Sequence, residues 1–149
     1  VFGSIGSVVA YDPVVTIDVT THVRLARPSR DLTLAERFYV EALGLDVLYR
    51  GTASAPGEHD LLMVGRAGGH WHLELVATDL PPSPSAEDLL VVYLDGPVPD
   101  DLVERLLAAG GERVSQSEYW DRWGVTVTDP DGYRLVLSTR GWRNTPAEG

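Results

Sequence analysis

Trp71-His72-Leu73-Glu74-Leu75-Val76 reads as a strand, because its residues alternate with the two-residue period of an extended chain. Near the other end, Tyr133-Arg134-Leu135-Val136-Leu137-Ser138 repeats the pattern directly after the turn Asp129-Pro130-Asp131-Gly132. Aligned on their leucines, His72-Leu73-Glu74-Leu75 lies over Arg134-Leu135-Val136-Leu137. The two segments look like one position in a duplicated unit. They differ in chemistry, since Glu74 on the first has Val136 as its counterpart on the second. A site shared between the two copies is lopsided in this chain.

Working outward, residues 20–26 alternate polar and apolar side chains and predict a strand. Arg27-Pro28-Ser29 is expected to stop it, because Pro28 cannot donate to a central ladder. Thr33-Leu34-Ala35-Glu36 has the form of a capping box. Leu34, Phe38 and Ala42 follow at helical spacing, Leu43 widens the stripe, and Gly44 suits the helix end. Residues 45–50 and 60–66 predict further strands, and Ala67-Gly68-Gly69 turns into the strand over 70–76. Leu80-Pro81-Pro82-Ser83-Pro84-Ser85 is a stiff linker by composition.

The same order then recurs. Residues 89–94 predict a strand, Asp100-Asp101 opens a helix, and Leu102, Leu106 and Ala109 form its buried stripe before Gly110-Gly111. Residues 124–128 and 133–138 predict a hairpin about Asp129-Pro130-Asp131-Gly132, which is read as turn chemistry without functional weight. Residues 112–123 are aromatic and polar and fit no single period. Strand, helix, strand, strand, strand thus occurs twice, at a spacing of about sixty residues. The expected organisation is one domain over 20–139, with module one at 20–79, a linker at 80–86 and module two at 87–139. Residues 1–19 are expected to be an N-terminal tail or extra strand, and 140–149 a C-terminal tail.

The chain of 149 residues, 44% hydrophobic, is long enough for a single core. No apolar run approaches the ~18 residues needed to span a bilayer, so no membrane partner is expected. The N-terminal stretch is apolar but lacks the basic residues of a secretory signal, and a cytoplasmic location is expected. Cysteine is absent, which excludes disulfides, thiolate metal sites and cysteine nucleophiles. The formal net charge of -10 repels phosphate backbones and argues against nucleic acid, while mildly favouring cationic small molecules. There is no phosphate-binding glycine loop with Lys-Ser/Thr, no Gly-x-Ser-x-Gly elbow and no His-Glu-x-x-His.

Four pieces, in order, resemble the vicinal oxygen chelate superfamily, which includes glyoxalase I, the bleomycin-resistance proteins and the extradiol dioxygenases. They are Thr21-His22-Val23-Arg24-Leu25, then Ala35-Glu36-Arg37-Phe38-Tyr39 running into Ala42-Leu43-Gly44-Leu45, then His72-Leu73-Glu74-Leu75, then Asp129-Pro130-Asp131-Gly132-Tyr133-Arg134-Leu135. Arg24-Leu25-Ala26-Arg27-Pro28 and Tyr119-Trp120-Asp121-Arg122 further resemble an uncharacterised bacterial glyoxalase-like subgroup. The resemblance implies an α+β fold of paired βαβββ modules forming a curved mixed sheet around a cleft, commonly as a homodimer. It also implies metal ligands from the first and last strand of each module. Carried over, His22 fills the first position and Glu74 the second. The third falls near Leu89, where His is usual, and the fourth at Val136, where Glu is usual.

Leucine and valine carry no donor atoms, and one imidazole with one carboxylate makes a poor divalent site. His72, or His70 on the same strand face, would be the added donor if the site were rebuilt; the set for a zinc, nickel, manganese or iron ion would be His22, His72 and Glu74. The favoured expectation is no metal cofactor and no catalytic residue. Tyr119, Trp120 and Trp123 crowd one stretch with Arg122 between the tryptophans. They suit a flat ligand, although core packing or a dimer interface also enriches such residues. With His22, His72 and Glu74 they form the expected ligand-binding set. The expected function is metal-free binding of an aromatic antibiotic or metabolite by sequestration, as in the bleomycin-resistance type. The alternative is a metal-dependent glyoxalase- or dioxygenase-type enzyme.

Overall fold

The computed structural model describes residues 16–148, so most of the expected N-terminal tail or extra strand at 1–19 lies outside the described residues. The chain folds as two modules of one pattern. In the first, β1 (Val23–Pro28) is followed by a helix and by β2 (Asp46–Gly51), β3 (Leu61–Gly65) and β4 (Trp71–Val76). These strands form a four-stranded sheet in the order β1-β4-β3-β2, with β1 parallel to β4 and the others antiparallel. In the second, β5 (Leu89–Tyr93), helix α2 (Asp100–Ala108), β6 (Glu112–Val114), β7 (Gly124–Thr128) and β8 (Arg134–Ser138) give the matching order β5-β8-β7-β6. A short helix, α3 (Glu118–Trp123), is added between β6 and β7. It accounts for half of the stretch that showed no period, and β6 for part of the rest.

β1 runs through Pro28 rather than stopping before it. It is an outer strand paired only with β4, so a missing amide donor costs no ladder bond on its open side. Helix α1 (Leu32–Glu36) is capped by Asp31, whose carboxylate accepts from the Thr33 and Leu34 amides at 2.9 and 3.2 Å. The expected Thr33–Glu36 capping box does not form; Glu36 pairs instead with Arg50 on β2. Nor does Leu34 join the buried stripe, for it is exposed while Ala35 is buried.

The helix then widens into a π-helical segment, Arg37–Ala42. The Leu43 amide reaches back five residues to the Phe38 carbonyl at 2.9 Å. The wider turn lets two consecutive side chains, Phe38 and Tyr39, both enter the core. That core is shared. Phe38, Tyr39, Leu73 and Leu75 of module one belong to the same buried cluster as Leu106, Val127, Leu135 and Leu137 of module two. Each fully buried leucine of this kind contributes about 1.5–3 kcal/mol by leaving water.

A buried polar joint also links the modules, and it gives Asp129-Pro130-Asp131-Gly132 a part beyond turn chemistry. Tyr39 donates its hydroxyl to Asp129 Oδ2 at 2.6 Å, while Asp129 Oδ1 accepts from the Asp131 and Tyr133 amides. Asp131 accepts from the Arg30 amide at 2.9 Å. The Arg27 guanidinium lies 4.6 Å from the centre of the Tyr133 ring and reaches Asp88. Gly132, at φ 95, closes the turn that presents these carboxylates.

Candidate functional site

Along β4, Leu73 and Leu75 point into the core, so alternation puts His72 and Glu74 on the other face of the sheet. The parallel register with β1 sets Arg24 opposite His72 and Ala26 opposite Glu74. Arg24 Nη1 donates to Glu74 Oε1 at 3.1 Å. The carboxylate is only 7% exposed and has a guanidinium as its partner. His22 lies one residue before β1, and its Nε2 is 2.7 Å from His72 Nδ1, a single hydrogen bond whose donor depends on the tautomers.

His72 titrates below the ordinary histidine range. Burial is the main cause, and the neighbouring His22 and Arg24 add to it against the opposing pull of Glu74. Its Nε2 is buried without a hydrogen-bond partner. The site is therefore a hydrogen-bonded imidazole pair beside a carboxylate held by Arg24.

The second sheet shows what the duplication lost. β5 and β8 pair in the same parallel register, with Leu89 opposite Arg134 and Val91 opposite Val136. With His72 equivalent to Arg134, Leu89 is the counterpart of Arg24, not of His22 as expected. Val136, the counterpart of Glu74, is 0% exposed. Arg134 turns to Gln116 Oε1 at 2.7 Å and so anchors the segment that leads into α3.

Helix α3 begins at Ser117, whose hydroxyl caps the Trp120 amide, and packs against β7 and β8. Its end is fixed by Thr139, whose amide and hydroxyl both donate to the Trp123 carbonyl, at 2.7 and 2.8 Å. Tyr119 and Trp120 meet edge to face with centroids 5.0 Å apart. The Arg140 guanidinium sits 4.4 Å from the centre of the Trp123 ring. Glu118, Tyr119, Arg122 and Trp123 line an open hollow of about 310 Å³.

The seven expected site residues thus fall into two groups. His22, His72 and Glu74 gather on the first sheet; Tyr119, Trp120, Arg122 and Trp123 gather on α3 over the second. Among the described residues no hydrogen bond, ion pair or ring contact joins the two groups. No cluster of three or more His, Asp or Glu side chains among the described residues is arranged to hold a metal ion. His70 is exposed and adds nothing to the pair. Arg24, Thr139 and Arg140 were not singled out from the sequence. Arg24 shares the alternation of His22, but its contact with Glu74 depends on a register between strands 50 residues apart.

No helix among the described residues is long and apolar enough to cross a membrane. Residues 23–76 match the YycE-like N-terminal domain and residues 87–139 the YycE-like C-terminal domain. Over 120 residues the chain is 34% identical to the uncharacterized protein YycE of Bacillus subtilis (strain 168), covering 77% of this chain and 85% of that protein. The crystal structure of a YycE protein of unknown function from Bacillus subtilis is similar with a TM-score of 0.68 at 29% identity, over 85% of this chain and 95% of that one. TnmS3, an antibiotic binding protein from Streptomyces sp. CB03234, is similar with a TM-score of 0.56 at 25% identity, over 83% of this chain and 98% of that one.

Proposed function

Because the chain belongs to the YycE-like family of the vicinal oxygen chelate superfamily, we propose that it binds a small aromatic molecule, an antibiotic or metabolite, and sequesters it without a metal. One observation carries the reading: Glu74 is held by Arg24, and its counterpart across the duplication is the fully buried Val136. A fixed guanidinium satisfies the carboxylate where a metal enzyme would use the ion. The likeness to an antibiotic binding protein supports the choice of ligand class.

The proposal includes a homodimer in the cytoplasm. A cleft with His22, His72 and Glu74 on one wall and Tyr119, Trp120, Arg122 and Trp123 on the other would take one wall from each copy. The outer strand β1 is suited to that contact, with Val23 59% and Leu25 50% exposed. The test is calorimetric titration of chelator-treated protein with a panel of aromatic antibiotics beginning with bleomycin. Binding at about micromolar Kd or tighter is expected, weakened about tenfold or more by the Trp120→Ala, Trp123→Ala double variant. Unchanged affinity in that variant would refute the assignment of α3.

The second reading, a metal-dependent glyoxalase- or dioxygenase-type enzyme, draws on the nearness of His22, His72 and Glu74. The donor set does not fit it. His22 and His72 are bonded to each other through ring nitrogens, Glu74 faces a cation, and Val136, the counterpart of Glu74, offers no lone pair. This reading requires a stoichiometric divalent ion and turnover abolished by Glu74→Gln.

A further inference from the structure

We infer that Tyr93, Asp95 and Trp142 form a binding site for an organic ammonium cation on the second module. Beyond the parallel pairing of β5 with β8, three backbone bonds tie the two segments together: the Leu94 amide donates to the Ser138 carbonyl, Asp95 to Arg140 and Gly96 to Thr139, at 2.8, 3.0 and 2.9 Å. These bonds fix the start of the C-terminal segment alongside residues 94–96. They bring the Trp142 ring to 6.1 Å from that of Tyr93, centroid to centroid, with the planes tilted by 31°. Trp142 is 72% exposed, and its indole Nε1 is held by Asn144 Oδ1 at 2.6 Å. An ordered, solvent-facing indole beside a second ring is a stacking surface rather than core.

Asp95 supplies the charge. It has φ 54, the one positive value at a non-glycine residue among the described residues, and its carboxylate makes no hydrogen bond or ion pair there. A Cβ at Gly141 would lie 3.0 Å from Asp95 Oδ1, so the carboxylate rests against the backbone immediately before Trp142. Two aromatic faces and a free carboxylate together attract a cation by the ring quadrupole and by direct charge. A neutral or anionic ligand would leave the carboxylate unmatched or repelled. Arg140 is not available to neutralise Asp95, because its guanidinium is already on Trp123. The net charge of -10 favours the same class of ligand at longer range.

The test follows the indole N–H resonances of the whole chain by NMR during titration with choline and with its neutral isostere, 3,3-dimethylbutan-1-ol. Choline is expected to shift the Trp142 resonance saturably, and the isostere to bind at least about tenfold more weakly. Tyr93→Ala should abolish the choline-induced shift of the Trp142 resonance and Asp95→Asn should weaken binding at least about fivefold; Asn tolerates positive φ and keeps the turn. Arg143→Gln, which removes an adjacent positive charge, should tighten binding. Equal binding of the two probes, or choline binding that survives Tyr93→Ala or ignores Asp95→Asn, would overturn the inference. These outcomes are independent of the ligand proposed for α3.

Discussion

Arg24 and Glu74 are joined by a 3.1 Å hydrogen bond across the parallel strands β1 and β4, and the residues in the corresponding places of the second sheet are Leu89 and Val136. One duplicated position thus carries a compensated charge pair in one module and two hydrocarbon side chains in the other. The two partners are unequally placed, since the arginine is about half exposed and the carboxylate is buried. Their removal should be unequal too. Arg24→Ala leaves a buried carboxylate without its cation and should cost about 1–3 kcal/mol in urea unfolding, whereas Glu74→Gln leaves a solvated guanidinium and should cost less. Equal losses would show that the pair is only a surface contact.

His72 should titrate below the ordinary histidine range, because burial, His22 and Arg24 all disfavour its charged form. Its native-state pKa lies below the unfolded value, so its contribution to stability is intact above about pH 6.5 and is lost as pH falls through the folded value. NMR titration of the imidazole resonances checks this. His22→Ala removes one of the named causes and should move His72 back toward the ordinary range.

Tyr39 gives the opposite sign at the other end of the scale. Burial first, then the nearby Asp129 carboxylate, holds its phenol well above the usual value. Its contribution is fully present below about pH 10, where an unfolded tyrosine starts to ionise, and is lost as pH rises further. Tyr39→Phe should cost about 1–2 kcal/mol at pH 8 through the lost bond to Asp129. The gap between variant and native protein should narrow from pH 10 to 11.

Gly124 joins α3 to β7 with no room for a side chain: a Cβ there would lie 2.2 Å from the Leu137 carbonyl oxygen. Gly124→Ala should therefore lower the thermal midpoint by several degrees and disturb the Trp123 end of α3, visible as a changed tryptophan emission. An unchanged midpoint would mean that β7 and β8 separate at little cost.

The strands other than β6 were legible in the sequence because alternation is a local signal, as in Trp71-His72-Leu73-Glu74-Leu75-Val76; the three residues of β6 are too few to show it. The Leu-aligned repeat likewise exposed the loss at Val136. Longer-range facts left no local trace. Arg24 meets Glu74 only once β1 and β4 are in register. Phe38 and Tyr39 both turn inward only because the helix widens, which a regular helical period does not anticipate. The Asp31 cap was masked by a better-formed box that begins two residues later, at Thr33. Helix α3, at six residues, is too short to show a period, and its place is fixed by Gln116, Thr139 and Arg140 rather than by its own pattern.

Metal-free ligand binding is the central claim, and one titration addresses it most directly. Chelator-treated protein is titrated calorimetrically with bleomycin and related aromatic antibiotics, then again after loading with zinc, nickel, manganese or ferrous iron. The account predicts saturable binding in the metal-free protein, unchanged by the ions. Binding that appears only with a bound ion, and disappears in Glu74→Gln, would contradict it.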